Sequence, residues 1–408
     1  MQETRVRNDN RRDIRLDFFR GLCLFFIFIA HTYGNPLARI IPARFGFSDA
    51  TEVFVFCSGM ASALAFGGAF ARHGLIVGLG RVAYRIWQVY WAHVSVFLVA
   101  IWVTIETDRF FGGTGDFVRG LKFENLFNEN AANALVGIMS LTWVPPYLDI
   151  LPMYLVLLCM MPAVILVAER SRVLIAVICI GIWFSAQAFD LKMVSEPWSD
   201  ASWFFNPFGW QLIFFTGFAI MRGWLPVPPA NRLLIGAAIA YCLVSLPLEW
   251  EPLLIAFPLL AETREAIGPL IDKGKLGILR YLHFLALAYL AVVLVGEQGR
   301  HLRGPVVAVI AKVGQQSLGV FMAGLILSLL AGPAMLYYSG HWAAVVVVNG
   351  VCFAALVAVA YGVAWFKAAP WTAPRPATPG RGHEPKSRDG RPQPDTAPPK
   401  GVALTPQA

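Results

Sequence analysis

Long apolar stretches separated by short polar segments run through most of this 408-residue chain. Several of them come close to the roughly 20 residues that an α-helix needs to cross a bilayer. The shorter stretch at 130–143, next to Pro145 and Pro146, favours a re-entrant or interfacial helix. The pattern predicts an all-α integral membrane protein with about ten transmembrane helices. The predicted spans lie near 15–33, 50–71, 80–105, 149–168, 173–190, 207–223, 232–249, 277–296, 314–335 and 342–366.

The charges between these spans predict the orientation of the chain. Basic residues alternate from loop to loop, and the opposite loops are mixed or acidic, as the positive-inside rule requires of a multi-span protein. Ten crossings with both termini in the cytoplasm satisfy this rule at every loop, whereas an eleventh crossing at 130–143 would invert all later loops. The basic loop positions are Arg72, Arg81, Arg170, Arg172, Arg222, Arg232, Arg300, Arg303 and Lys312.

The composition supports a membrane protein. Hydrophobic residues make up 57% of the chain and charged residues 14%, against about 25% charged in soluble domains. The six cysteines all lie in apolar stretches without a CxxC pair, so we expect neither a disulfide framework nor a metal site. The net charge of +8 comes from the inner loops and the tail, so no nucleic-acid partner is expected. We predict a basic cytoplasmic N-terminus at 1–14, a transmembrane domain at 15–366 and a disordered, Pro- and Arg-rich cytoplasmic tail at 367–408.

The apolar part of the first predicted span contains an arginine and a histidine, Arg20 and His31. Ionisable residues inside a membrane span are expensive and by default mark a functional site. Eleven residues turn an α-helix by about three full turns, so both side chains share one face, roughly 16 Å apart along the axis. This pair predicts a polar path for an anionic ligand, with proton chemistry at its far end.

The second and third spans add further candidates. Glu52 begins the second span at nearly the depth of His31, so its carboxylate is expected to orient the imidazole as a general base. Asp49 stands at the expected N-cap of the same helix. Arg81 and Arg85 open the third span on one helix face, and such a pair can bind phosphates or serve as a positive-inside anchor.

Short motifs within residues 11–60 point to a known family. They are RLDFFRG from Arg15, His31 followed by Gly-Asn-Pro, and Glu52 six positions before Ser58-Gly59. These segments resemble the OpgC family, membrane proteins associated with succinylation of osmoregulated periplasmic glucans. OpgC proteins are similar to the wider membrane acyltransferase-3 superfamily, whose signature of Arg or Lys, ten residues and His is matched here. A late segment, Gly314-Gln-Gln-Ser317, also resembles OpgC.

The resemblance implies a membrane-bound O-acyltransferase of the bacterial inner membrane. The implied donor is acyl-CoA, with succinyl-CoA expected, and it acts as a co-substrate, with no tightly bound cofactor. His31 would act as the general base on a hydroxyl of a periplasmic glucan or related glycan, with Glu52 and Arg20 as catalytic partners. Arg81, Arg85 and Arg20 would bind the CoA phosphates. A covalent acyl-histidine intermediate stays open at this point.

Four residues are candidate contacts for the acyl group or the glycan: Asp49, Asn35, Arg280 and His283. Arg280 and His283 share a face near the outer end of the eighth span, where Arg280 would meet a succinyl carboxylate. Outer aromatic residues either stack on glucose rings or form the usual interfacial belt. These aromatic residues are Trp143, Trp198, Trp203, Trp210 and Tyr147.

Two other classes of protein fit a ten-span chain. A secondary transporter would show internal repeats with broken helices, but no second copy of the Arg20–His31 unit occurs in the other half. A non-catalytic subunit of a glucan export or assembly complex would not depend on any single ionisable pair. His31→Ala therefore separates the enzyme from both alternatives.

Overall fold

A computed structural model describes residues 13–372 of the chain. Within this range the regular elements are helices, and the extended backbone forms one isolated bridge between Val194 and Ser202. The N-terminus before residue 13 and most of the predicted tail lie outside the described residues. The helices are α1 Ile14–His31, α2 Ala50–Ser62, α3 Gly68–Phe110, α4 Asp116–Gly120, α5 Ala131–Ser140, α6 Ile150–Arg170, α7 Arg172–Ala188, α8 Pro207–Met221, α9 Arg232–Ser245, α10 Glu251–Ala256, α11 Pro258–Ala266, α12 Ile278–Val295, α13 Pro305–Gln315, α14 Ser317–Tyr337 and α15 Trp342–Ala368.

The all-helical prediction is confirmed, and every predicted span overlaps at least one of these helices. Within residues 13–372, five helical stretches are long and apolar enough to cross a membrane. α1 is not among them, because three of its 18 residues are charged. The count of ten crossings and the orientation of the termini stay predictions. The five stretches are Ala50–Phe110, Ile150–Arg170, Ile278–Val295, Ser317–Tyr337 and Trp342–Thr372.

The second and third predicted spans are joined without the loop expected between them. A π-helical turn at Ala63–Gly67 connects α2 to α3, and α3 is interrupted at Gly74, where φ is 76° and ψ is −176°. Glycine adopts positive φ without a steric penalty, so a single residue can break the helix direction here. The polar residues around Gly74 predict a loop, because hydropathy does not show whether helical hydrogen bonding continues through a polar segment.

The short apolar segment predicted near 130–143 forms α5, a helix of 10 residues. About 15 Å of helix cannot cross a hydrocarbon core of about 30 Å. α5 ends where Leu141 adopts a left-handed backbone, with φ of 60°. The expectation that this segment does not cross the membrane alone agrees with its length.

Two close helix crossings place α1 and α2 inside the bundle. A Cβ atom added at Gly21 of α1 would lie 1.9 Å from the backbone oxygen of Ile310 in α13. A Cβ at Gly59 of α2 would lie 1.9 Å from the backbone oxygen of Phe214 in α8. Small residues allow such backbone contact between helices. The two helices that carry most of the candidate residues are therefore packed closely against neighbours, α1 against α13 and α2 against α8.

Candidate functional site

Arg20 and His31 of α1 both face α14. Arg20 donates a hydrogen bond from Nη2 to Ser317 Oγ at the first turn of α14. His31 lines a crevice together with Phe321, Gly324 and other residues of α14. α1 and α14 therefore run parallel here, with Arg20 at one end of their contact and His31 at the other.

The imidazole of His31 is held by its own helix. Its Nδ1 lies 2.8 Å from the carbonyl oxygen of Ile27, and because a carbonyl only accepts, Nδ1 carries the hydrogen. In the neutral ring Nε2 then has the lone pair that a general base needs. The ring also packs on Tyr147, with centroids 4.9 Å apart and planes tilted by 54°. Tyr147 adopts a left-handed φ of 69°, which is an outlier for a bulky residue.

Glu52 does not orient His31, contrary to the sequence-based expectation. Its Oε1 accepts from Nη1 of Arg280 at 2.6 Å, and its Oε2 accepts from the backbone N–H of Asp49 at 2.7 Å. The side chain is fully buried. A buried carboxylate requires a partner of opposite charge, and Arg280 on α12 supplies it.

Asp49 is the N-cap of α2, as predicted, and forms a capping box with Glu52. Its Oδ1 accepts from Thr51 N at 2.7 Å, and its Oδ2 accepts from Nζ of Lys273 at 2.5 Å. Burial acts to raise the pKa of Asp49, but Lys273 and Arg280 more than offset this and hold the pKa below its usual value. Asp49 therefore forms an ion pair with Lys273 through Oδ2 and caps α2 through Oδ1. With both oxygens engaged, its carboxylate has little capacity to bind a substrate.

Lys273 is the residue of this cluster that sequence reasoning missed. It lies in the segment before α12, close enough to His31 and Asp49 for its charge to act on both. Side chains of α7 and α8 donate hydrogen bonds to the backbone carbonyls of residues 273–276 and so fix this segment. A run of charged residues and glycine at 272–275 is the only sequence signal. The donors are Trp183, Gln187 and Trp210.

The remaining candidate substrate contacts have partners within the protein. Arg280 uses Nη1 for Glu52 and Nε for the carbonyl of Ile271, 3.2 Å away. His283 accepts at Nδ1 from the backbone N–H and hydroxyl of Ser48 and is 1% exposed. The Asn35 amide donates to Asn349 Oδ1 at 2.9 Å, and its oxygen caps a short 3-10 helix. These contacts connect the loop after α1 to α12 and α15.

Arg81 and Arg85 line a cleft of about 510 Å³. This volume falls within the range of small-molecule binding sites. Arg85 donates from Nη1 to Gln88 at 3.3 Å, and neither arginine forms an ion pair with a described residue. The cleft therefore combines adequate size with two uncompensated positive charges. Its lining is Phe66, Val77, Gly80, Arg81, Tyr84, Arg85 and Gln88.

The residues at the break between α13 and α14 form hydrogen bonds with α1 and α15. Gln315 donates to Asp17 of α1 at 3.2 Å, and Lys367 of α15 donates to Gln316 at 2.8 Å. Ser317 accepts from Arg20. All three polar residues of this break therefore form hydrogen bonds between helices, and Ser317 fixes the position of the Arg20 guanidinium.

The aromatic residues proposed to stack on glucose rings are mostly interior. Trp143, Trp203 and Trp210 are buried, and Trp198 packs on Trp143 with ring centroids 5.8 Å apart. Buried indoles fill the core and present no face to a sugar, so the stacking alternative is excluded for these three residues. Of the five, Tyr147 is the one that contacts a candidate catalytic side chain.

The described residues form helices, several of them apolar and long enough to cross a membrane, with charged groups buried among them, and these features indicate a membrane protein. Residues 12–368 match the family model described as OpgC protein. Because this match covers most of the 408 residues, the chain belongs to the OpgC family. No curated protein and no solved structure matches it. Family membership indicates a transferase with a role in modifying glucans.

Proposed function

We propose that this protein transfers an acyl group, succinyl in the first instance, from cytoplasmic acyl-CoA to hydroxyls of periplasmic glucans. His31 acts as the general base. The observation that carries the proposal is the Nδ1 contact of His31 with Ile27, 2.8 Å long. It selects the tautomer whose Nε2 can take a proton, and the ring packs on Tyr147.

The proposed topology has ten crossings in the bacterial inner membrane, with both termini in the cytoplasm. It places the cleft of Arg81 and Arg85 at the cytoplasmic face, where acyl-CoA is available. His31, at the other end of α1, then faces the periplasm. The donor stays in the cytoplasm while its acyl group reaches an acceptor on the far side.

The chemical step conserves atoms and charge. His31 Nε2 accepts the proton of a sugar hydroxyl as the hydroxyl oxygen attacks the thioester carbonyl. The tetrahedral intermediate collapses with cleavage of the C–S bond, and the CoA thiolate leaves and takes the proton from the imidazolium. An ester forms and free CoA is released. General-base assistance contributes about 10²–10⁴-fold, and holding both substrates in one site adds the proximity contribution.

The neighbouring charges have roles other than those first expected. Glu52 and Arg280 form a buried pair that fixes α2 against α12. Lys273, whose side chain is 29% exposed, is the more accessible cation near His31. Nη1 and Nε of Arg280 are engaged, so a succinyl carboxylate would be left with Nη2 of Arg280 and with Lys273.

Mass spectrometry of periplasmic glucans tests this function in a deletion strain complemented with wild type, His31→Ala or His301→Ala. His301 is a matched control, because this exposed histidine also places Nδ1 2.8 Å from a backbone carbonyl, that of Leu294. A succinyl increment restored by wild type and His301→Ala but not by His31→Ala is expected. An acetyl increment would change the donor and keep the mechanism.

Two outcomes would contradict the proposal. Full restoration by His31→Ala would remove the catalytic histidine and favour a non-catalytic subunit of an export complex. Unaltered glucans in every strain would remove the glucan acceptor and direct attention to other surface glycans or to transport.

A further inference from the structure

His31 is the last residue of α1, and residues 32–35 form a tight connection directly after it. The backbone N–H and the hydroxyl of Thr32 both donate to the carbonyl oxygen of Phe28, at 3.0 and 2.8 Å. The chain then turns at Gly34, where φ is 72°, and the backbone N–H of Asn35 donates to the carbonyl of Thr32 at 3.2 Å. The last carbonyl groups of a helix lack partners within that helix, so the position of His31 depends on how this connection is held.

Asn349 of α15 holds the far end of the connection through a pair of side-chain amides. Nδ2 of Asn35 donates to Oδ1 of Asn349 at 2.9 Å, and Nδ2 of Asn349 donates to Oδ1 of Asn35 at 3.4 Å and to the carbonyl of Val345 at 2.8 Å. Oδ1 of Asn35 also accepts from the backbone N–H of Leu37 at 3.1 Å. The two asparagines are 5% and 3% exposed. A buried amide is costly unless it is hydrogen-bonded, and here each amide nitrogen and oxygen has a partner.

Apolar contacts from α14 and α15 meet the same end of α1. Phe353 lies four residues after Asn349, on the same face of α15, and its ring contacts that of Phe28, with centroids 5.8 Å apart. A Cβ atom added at Gly332 of α14 would lie 3.3 Å from Cβ of Tyr33 and 3.4 Å from its backbone nitrogen. The connection after α1 is therefore packed against α14 and hydrogen-bonded to α15.

We infer that Asn349 is a positioning residue for His31 and acts on it through Asn35. Its effect on the rate rests on the proposed function, in which His31 is the general base. Held by this amide pair, the last turn of α1 keeps the carbonyl of Ile27 2.8 Å from Nδ1 of His31, and Nε2 stays free to accept a proton. A misplacement of about 1 Å at a reacting group can cost about 10²-fold in rate, so a contact 318 residues away in the sequence controls the catalytic step.

Steady-state kinetics of glucan acylation by the full-length protein in detergent test the inference, with rates expressed per CoA-binding site so that inactive protein is not counted. Asn349→Leu removes the amide pair. Asn349→Ser also removes it, but its hydroxyl can still donate to the carbonyl of Val345, as serine does within helices. Both variants should lower kcat about 10- to 100-fold and leave KM for acyl-CoA within about twofold of wild type. Asn35→Leu should lower kcat at least as much, and adding Asn349→Leu to it should lower kcat no further, because residues that act through one contact are not additive.

Gln211 is the matched control for the loss of a buried amide between helices. Its side chain is fully buried, and its Nε2 donates to the carbonyl of Cys179 at 2.6 Å, which joins α8 to α7. This contact does not involve the connection after α1. Gln211→Leu should therefore keep the wild-type kcat, and an equal fall in kcat there would show that any lost interhelical amide slows the enzyme.

Nitrogen NMR of protein labelled at its histidine rings reports on the position of His31 without relying on activity. The signals of His31 are identified by their absence in His31→Ala. In wild type they should show the hydrogen on Nδ1, as the contact with Ile27 requires. In Asn349→Ser they should show a mixture of both neutral tautomers, and in Gln211→Leu they should match wild type.

The outcomes separate this inference from the proposed function. A wild-type kcat in Asn349→Ser, or a His31 signal unchanged from wild type, would overturn the inference and leave the proposed function intact. If Asn349→Leu does not fold, Asn349→Ser decides the test. Absence of acyl transfer by wild type would overturn the proposed function, and the NMR signals would still decide whether Asn349 positions His31.

Discussion

The guanidinium of Arg280 and the carboxylate of Glu52 lie 2.6 Å apart although 228 residues separate them in the sequence. Glu52 is fully buried and the Arg280 side chain is 12% exposed. The pair joins the first turn of α2 to the first turn of α12, next to Asp49 and Lys273. Its burial makes it the most sensitive ion pair of the site.

Removing one partner of this pair should destabilise the protein strongly. Glu52→Gln or Arg280→Met leaves an uncompensated buried charge, which typically costs about 3–5 kcal/mol. The double variant should recover most of this loss, since both charges are then gone. Thermal or denaturant unfolding in detergent measures the effect.

The exposed pair of Glu106 and Arg109, with N and O 2.9 Å apart, is the control, and Glu106→Gln should change stability by less than about 1 kcal/mol. Equal losses at both pairs would contradict this account.

Substitutions of Tyr147 should separate its packing on His31 from its backbone strain. Tyr147→Ala removes the ring and keeps a side chain at φ 69°, whereas Tyr147→Gly removes both. A left-handed backbone costs an L-residue about 1–2 kcal/mol, so the glycine variant should be the more stable by about 1 kcal/mol. Both variants should transfer the acyl group more slowly than wild type, with Tyr147→Phe close to wild type. A fully active alanine variant would show that the ring contact is only structural.

Neutralising the arginines of the cleft should weaken donor binding more than it slows catalysis. Arg81→Gln and Arg85→Gln each remove one charged contact to phosphate, worth about 1.5–3 kcal/mol, so KM for acyl-CoA should rise about tenfold or more with a smaller change in kcat. The wild-type KM should also rise with salt, because exposed charges are screened. Steady-state kinetics measure both. Arg232, an exposed arginine at the start of α9, is the control. An equal rise in KM for Arg232→Gln would indicate a general charge effect.

The Asp49–Lys273 contact predicts a stability loss in acid. The pKa of Asp49 lies below its usual value in the folded protein, so its contribution is fully present above the unfolded value of about 3.9. It is lost as the pH falls from there through the folded pKa. Asp49→Asn should lower the stability at pH 7, and the gap from wild type should narrow below about pH 4. Thermal unfolding at pH 7 and pH 3 tests this, with the exposed Asp200→Asn as control; a constant gap would contradict it.

Features that repeat along one helix could be predicted from the sequence. The helical period alone placed Arg20 and His31 on one face, and both do face α14. The Asp49 cap was predictable for the same reason, since its capping box spans four consecutive residues. Ten apolar stretches likewise each correspond to a helix, because hydropathy over about twenty residues is a local property.

The partners of the charged groups were decided by tertiary structure. The expectation that Glu52 would orient His31 used depth in the membrane, which says nothing about the direction in which a helix turns its side chains. Packing of α2 against α8 and of α12 nearby aims Glu52 at Arg280. Lys273 became visible as a site residue because α7 and α8 hold its loop against Asp49, 224 residues away in the chain.

By itself the sequence determined a helical membrane protein of the OpgC family, with an arginine and a histidine on one face of its first helix. Hydropathy, helical period and short motifs are local, and they need no knowledge of neighbouring helices. The tertiary structure alone decided that Arg280 neutralises Glu52, that Lys273 pairs with Asp49, and that α14 packs along the face of α1 that carries Arg20 and His31. Those contacts depend on how helices distant in sequence pack together, because a buried charge takes the partner that packing brings within reach.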